Sequence, residues 1–334
     1  MNSDRQVRAY ALHGVKLQVT CSPAIAACLD ARFRMFPTDA NCRDTVHLDF
    51  HAAKDASHHS TSRPDGPSRP FYEMPNGEAS YFKQSDQLYI GFRDGLRALC
   101  EPARGYAAIS LVETDPRNLF MASHLVLTIL LVDVLRRRRW YSLHAAGFSE
   151  GGAAILVPGT SGVGKSTLSV ALLRAKFDYL TDDMVFLARC SDTLVVRGLA
   201  EDIDVSENTI RFFPELDFLL RSPKTDGFTK RQLCIEDVYG VRPTMEARPS
   251  LIVLPRISGK PESHLTRIDS DEALLEIVPN VLLTEQAACQ EHLGVLAEMV
   301  KQADCYRLET GRDFDRIPAL LRRALSEKRE TVCA

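Results

Sequence analysis

The residues best placed to do chemistry in this chain begin with GTSGVGKS, residues 159–166, which matches the spacing G-x-x-x-x-G-K-[ST] in full. An apolar strand-like stretch, AAILV, runs into it, and a helix-forming stretch beginning SerThrLeu leaves it. In that context the glycines among Gly159, Thr160, Ser161, Gly162, Val163, Gly164, Lys165, Ser166 and Thr167 let the backbone curl. Successive N–H groups then point at phosphate oxygens, reinforced by the start of the helix. Lys165 supplies a fixed positive charge to the phosphates, and the Ser166 hydroxyl suits a magnesium ligand. Alone, the loop gives a bound phosphate and no reaction, because enzymes, motors and switches all use it.

Two flanking features narrow the reaction. Seventeen positions after Lys165 the chain reads YLTDDMVF, with Asp182 and Asp183 at the end of an apolar strand segment, where a carboxylate can hold Mg²⁺ directly or through water. Strand side chains alternate, so the two cannot face the same way unless the strand ends between them. A division of labour follows, one carboxylate on the metal and one on the nucleophile; a plain Asp-Asp turn is the competing reading. Upstream, His144 interrupts the small and apolar LHAAGF, on the strand expected to pair with the one feeding the loop. It either orients an aspartate or touches the γ-phosphate, or it is a satisfied core histidine.

These groups need a scaffold, and the chain is long enough to build one. Its 334 residues are 45% hydrophobic, which supports one large or two ordinary cores. A net charge of −3 gives no global attraction to nucleic acid or anionic lipid. MNSDRQVRAYALHG lacks the basic-then-apolar pattern of a secretory signal, and the longest apolar run, Leu125 to Leu135, is short for a bilayer span and contains Asp133. Nine scattered cysteines fit reduced thiols in a cytoplasm better than a disulfide framework or a zinc site.

Residues 1–110 read as β-rich, with strands at VKLQVTC, TVHLDFH and SYFKQSDQLYIGF around a polar loop in which His58 and His59 are solvated. They offer no chemical constellation. From residue 118 to about 330 the pattern becomes an apolar helix ending at Arg136 to Arg139, then a hairpin of WYSLHAAGF and AAILVP, the glycine loop and its helix. Strands FDYLTDD, MVFLARC, TLVVRGL and SLIVLP and helices DEALLEIV, EQAACQEHLGVLAEMVKQA and FDRIPALLRRAL follow. Strands interleaved with helices around such a loop predict an α/β fold, a P-loop nucleotide-binding core behind a β-rich N-terminal region. No internal repeat is visible.

LHAAGF, GTSGVGKSTL and YLTDD, in that order within about 45 residues, resemble the catalytic domain of the HPr kinase/phosphorylase family. The similarity is closer to the shorter HPr-kinase-related proteins of bacterial peptide-modification gene clusters. It covers residues 118–190 well and extends more weakly to about 325. It implies a nucleotide core like that shared with phosphoenolpyruvate carboxykinases, ATP and Mg²⁺, and transfer to a serine hydroxyl of a peptide or small protein. The family's histidine matches His144, its lysine and serine match Lys165 and Ser166, and its aspartate pair matches Asp182 and Asp183. In the family one aspartate is the base, while the histidine and the other aspartate support it and the metal. Our working assignment gives Mg²⁺ to Ser166 and Asp183 and the proton to Asp182, a choice the sequence leaves nearly even. Two departures weigh against dephosphorylation and against HPr as substrate: Thr167 stands where full family members usually carry an acidic residue, and their downstream glycine-rich segment is missing.

Other readings stay open: an HPr-type kinase of carbon metabolism, a regulatory ATPase with no hydroxyl acceptor, or a peptide-binding module with a vestigial loop. Lys230, Arg231 and Arg256 are further candidates for phosphate or substrate contact, and Arg136 to Arg139 for an acidic peptide, although cations are favoured at a helix end in any case. A cytoplasmic protein, free or as a homo-oligomer, with no nucleic-acid or membrane partner, is the expectation.

Overall fold

The computed structural model describes residues 5–36, 41–52, 70, 72–73, 79–92, 95–160, 162–191, 193–222, 230–241, 243–284 and 286–333. It is a mixed α/β structure of two compact units, one formed by the chain up to Trp140 and the other by the chain from Tyr141 onward. His58 and His59 lie outside the described residues.

In the first unit the elements run β1 (Gln6–Leu12), β2 (Val15–Cys21), α1 (Pro23–Arg32), β3 (Asp44–Ala52), β4 (Tyr72–Glu73), β5 (Ala79–Gln84), β6 (Gln87–Phe92), β7 (Arg97–Glu101), β8 (Tyr106–Leu111), α2 (Pro116–Met121) and α3 (Leu127–Arg136). One sheet takes all eight strands in the order β1-β2-β3-β8-β7-β6-β5-β4. The parallel β2–β3 pair needs a crossover, and α1, capped by the Ser22 side chain, supplies it. The alternation of VKLQVTC is real: Val15, Leu17, Val19 and Cys21 are buried.

From Pro116 to Arg136, α2, a π turn at Ala122–Val126 and α3 form one helix of 21 residues, long and apolar enough by composition to cross a bilayer, yet mostly buried inside the protein. It exceeds the apolar run Leu125–Leu135 because polar turns precede it. The sequence placed this helix in the nucleotide region, whereas it packs within the first unit. Arg32 of α1 donates to the Ser123 and His124 carbonyls of the π turn and to the Thr128 hydroxyl just after it. Among the arginines at its end, Arg136 pairs with Asp133, Arg137 with Asp86 and Arg138 with Asp44, all in the same unit.

The second unit runs β9 (Tyr141–Glu150), β10 (Ala153–Pro158), α4 (Lys165–Arg174), β11 (Asp178–Thr181), β12 (Met184–Cys190), β13 (Thr193–Gly198), β14 (Ile203–Val205), α5 (Glu207–Ile210), β15 (Arg231–Leu233), α6 (Ile235–Tyr239), β16 (Glu246–Ile257), β17 (His264–Ile268), α7 (Ser270–Ile277), α8 (Gln286–Gln302), β18 (Asp304–Thr310) and α9 (Ile317–Cys333). Its main sheet is ordered β10-β9-β12-β13-β16-β18-β17, with β11 beside β9 and β16 returning to pair with β10. The long strands β9 and β16 therefore each serve two sets of neighbours. One end of β9 pairs with β12 and the other with β10 and β11. Leu143, Ala145, Leu156, Val185, Ile252 and their neighbours face the apolar sides of α7 and α8 through Ala273, Ile277, Leu296 and Met299, all buried. Strands β10, β16 and β18 are mutually parallel, so Pro158, Ile257 and Thr310 end on one edge.

Candidate functional site

Strand register brings the sequence-predicted groups together. On β9, Ala145 pairs with Pro158, the residue before the glycine loop, while His144 pairs with Met184, the residue after the aspartates. His144 is thus set between the loop and the Asp-Asp bend by backbone pairing alone. Its neighbours Leu143 and Ala145 point into the core, so alternation turns His144 the other way, and it is only partly exposed.

The loop joins β10 to α4, with Gly164 at φ 100° in the left-handed region just before Lys165, a conformation that disfavours any side chain. Lys165 is 9% exposed. Its ammonium donates to the carbonyl of Gly159, to that of Thr160 at 3.2 Å and to Nε2 of His144 at 3.0 Å. Burial lowers its pKa, against the opposing charges of Asp183 and Asp182. Ser161 lies outside the described residues.

The bend between β11 and β12 carries both aspartates and separates their surroundings. Oδ2 of Asp182 accepts a hydrogen bond from Ser166 Oγ at 3.2 Å, and Oδ1 accepts one from Ser169, one helical turn further along α4. Burial pushes the Asp182 carboxyl up to about 6, with the Asp183 charge adding to the rise and the two serine hydroxyls and Lys230 opposing it. Asp183 turns the other way and meets Nδ1 of His144 at 3.0 Å, with 67% of its side chain exposed. Desolvation raises its carboxyl, but the hydrogen bond from His144 and the charges of Lys165 and Lys230 outweigh that and hold it below the ordinary carboxylate range. Since a lysine ammonium only donates, Nε2 of His144 accepts and its proton sits on Nδ1, aimed at Asp183. The result is a chain Lys165–His144–Asp183 beside a separate pair, Ser166–Asp182.

Of the two aspartates, the carboxylate beside Ser166 is that of Asp182, and Asp183 is the one open to solvent. Alternation said only that the two diverge; the face of α4 that carries Ser166 and Ser169 decides which turns inward. Sequence reasoning passed over Ser169, for which the three-residue spacing from Ser166 on a helix was the available signal. It also passed over Thr181, whose hydroxyl donates to the Leu199 carbonyl at 2.9 Å and accepts from the Asp183 and Met184 amides, fixing the bend. Of the further basic candidates, only Lys230 brings its charge to both aspartates. Arg231 donates to the Ser222 carbonyl and lies 3.6 Å from Glu207, and Arg256 is exposed near the end of β16.

Comparison with known proteins returns little. No family model matches the chain, and no curated protein matches it. Among solved structures, the Hpr(Ser) kinase/phosphatase from Coxiella burnetii is similar over 58% of this chain and 99% of that one, at 12% identity and a TM-score of 0.31. The site has to be read from its own geometry.

That geometry makes one backbone contact critical. A Cβ on Gly198 would lie 2.0 Å from the carbonyl oxygen of Leu180, two residues before Asp182. Gly198→Ala is expected to push β11 and its bend aside, costing roughly 1–3 kcal/mol of stability by denaturant unfolding. Any activity that needs the aspartates in place falls at least about tenfold with it.

Proposed function

We propose that this chain is a kinase that moves the γ-phosphate of ATP to a serine hydroxyl of a peptide or small protein. The observation that carries the reading is the split of two adjacent aspartates, Asp182 onto the Ser166 hydroxyl of the glycine loop and Asp183 onto His144, in the open. A solvent-open carboxylate set apart from the loop's hydroxyl offers a seat for an acceptor alcohol.

In this reading the loop amides and Lys165 hold the phosphates, exchanging the ammonium's bonds to the Gly159 and Thr160 carbonyls for phosphate oxygens. Ser166 and Asp182 fit Mg²⁺: both offer the hard oxygen donors it prefers, and a carboxyl raised to about 6 by burial gains from a cation beside it. Magnesium bound there would neutralise charge on the β- and γ-phosphate oxygens. Asp183 accepts the hydroxyl proton as the serine oxygen bonds to the γ-phosphorus. The bond from that phosphorus to the β–γ bridging oxygen breaks, and its electrons leave with ADP. Held low by His144, Asp183 is a weak base, which suffices where the transition state is loose and the proton departs late. The acceptor is tested by incubating the purified chain with Mg²⁺, ATP and a panel of serine-containing peptides. A mass gain of one phosphate on serine is the expected result, and no gain on any peptide would defeat the reading.

The raised carboxyl has a stability consequence. A carboxyl whose folded pKa lies above its unfolded value disfavours the fold once it must ionise, so this cost is absent at low pH, grows between about pH 4 and 6 and persists above. Asp182→Asn is therefore expected to stabilise the metal-free protein by roughly 1–3 kcal/mol at pH 8 and hardly at all at pH 4, as read by urea unfolding at both pH values.

A further inference from the structure

The phosphate side of the site is polar, but beyond it lie apolar side chains that the fold leaves exposed, Phe212 and Ile257 among them. Thr167, which follows Ser166, meets the buried Thr209 hydroxyl to hydroxyl at 3.0 Å, and Ser206 caps the same short turn. Thr167 lies in the first turn of the helix at whose N-terminus phosphates would sit, so its contact with Thr209 carries a continuous surface from that end outward towards Phe212. One turn beyond Thr209 is Phe212, 48% exposed, its amide bonded to the Thr209 carbonyl at 3.0 Å. The Phe212 ring meets Phe314 at a centroid distance of 5.0 Å and 59°, and Phe314 rests in turn on the buried Phe213 at 5.6 Å. Phe314 follows β18, and Ile257, 64% exposed, ends β16 within 3.8 Å of where a side chain on Gly164 would begin. Ligands of parallel sheets bind outside the carboxyl ends of the strands, and Pro158, Ile257 and Thr310 are three such adjacent ends.

We propose that Phe212, supported by Phe314, is the stacking surface for the base of the nucleotide whose phosphates the glycine loop holds. The inference rests on the phosphate-loop reading above and adds the part of the ligand that the loop does not touch. A ring face exposed to water has little reason to stay ordered there, whereas a flat base laid on it removes both faces from water and gains from ring stacking.

The test separates base from phosphates. Calorimetric titration of the full chain with Mg·ATP and with Mg·tripolyphosphate gives two affinities for each variant. Phe212→Ala is expected to weaken ATP about tenfold or more and leave tripolyphosphate unchanged, and Phe212→Trp, which keeps an aromatic face, restores ATP. Lys165→Ala weakens both ligands. Unchanged ATP affinity in Phe212→Ala, or equal loss for both ligands, overturns the inference and returns Phe212 to the role of a docking surface or a packing residue. Failure of the wild-type chain to bind either ligand overturns the phosphate-loop reading and this inference with it.

Discussion

Asp183→Asn lowers phosphoryl transfer by roughly 10²–10⁴-fold while the affinity for Mg·ATP changes by only a few fold. The expectation follows from where the side chain sits. Its carboxylate touches His144 and solvent, and no described hydrogen bond ties it to the loop or to Ser166. The amide keeps the shape and loses the ability to take a proton. Asp182→Asn gives the opposite signature, because its oxygens lie against Ser166 and Ser169. Loss falls first on magnesium-dependent nucleotide affinity, and raised Mg²⁺ recovers part of the rate. A single-turnover experiment on both variants, with Mg²⁺ varied, separates chemistry from binding. Matching profiles for the two would mean that they act as one unit and that the division between them is wrong.

Lys165→Ala is expected to reduce transfer by about 10²–10³-fold and to weaken nucleotide binding as well. The lysine is almost fully buried, with its charge satisfied by two loop carbonyls and His144. Removing it takes away the charge that meets the phosphates and also the donor that fixes the proton of His144 on Nδ1. The two losses can be told apart with Lys165→Arg, which keeps the charge and changes its shape. Nucleotide binding recovers in part, while transfer stays low because a guanidinium does not reproduce the ammonium's contacts with His144 and the curled loop. Measuring both by filter binding and by ADP release checks this. Wild-type transfer in Lys165→Ala would remove the lysine from the mechanism.

How much of this was legible in the sequence depends on how locally each feature is specified. The glycine loop is a backbone conformation written by its own residues, and Gly164 at φ 100° occupies the position the motif assigns to it. The hairpin β9–β10 was legible because alternation and a Gly-Gly turn flank it, and it brought His144 to the loop. Its other partner was not, since the pairing of β9 with β12 is a contact between segments forty residues apart, and that pairing sets His144 on Asp183 rather than Asp182. Strands β17 and β18 escaped for different reasons. HLTRI is short and largely exposed, with no apolar alternation to mark it, and DCYRLET lies against a helix end that masks its start. The helix of Pro116–Arg136 was legible as a helix, but its allegiance was not, because an apolar helix carries no record of which sheet it covers; the Arg32 hydrogen bonds that tie it to the first unit come from ninety residues away.

The claim on which the rest depends is that the γ-phosphate goes to a hydroxyl and not to water. It is tested most directly by following ATP labelled at the γ-phosphate, with a serine-containing peptide that gains mass, and measuring how the label divides between peptide and inorganic phosphate. The wild-type chain is predicted to place most of the label on the peptide serine, with that fraction collapsing in Asp183→Asn. Label released only as inorganic phosphate, at a rate indifferent to peptide and to Asp183, would contradict the account.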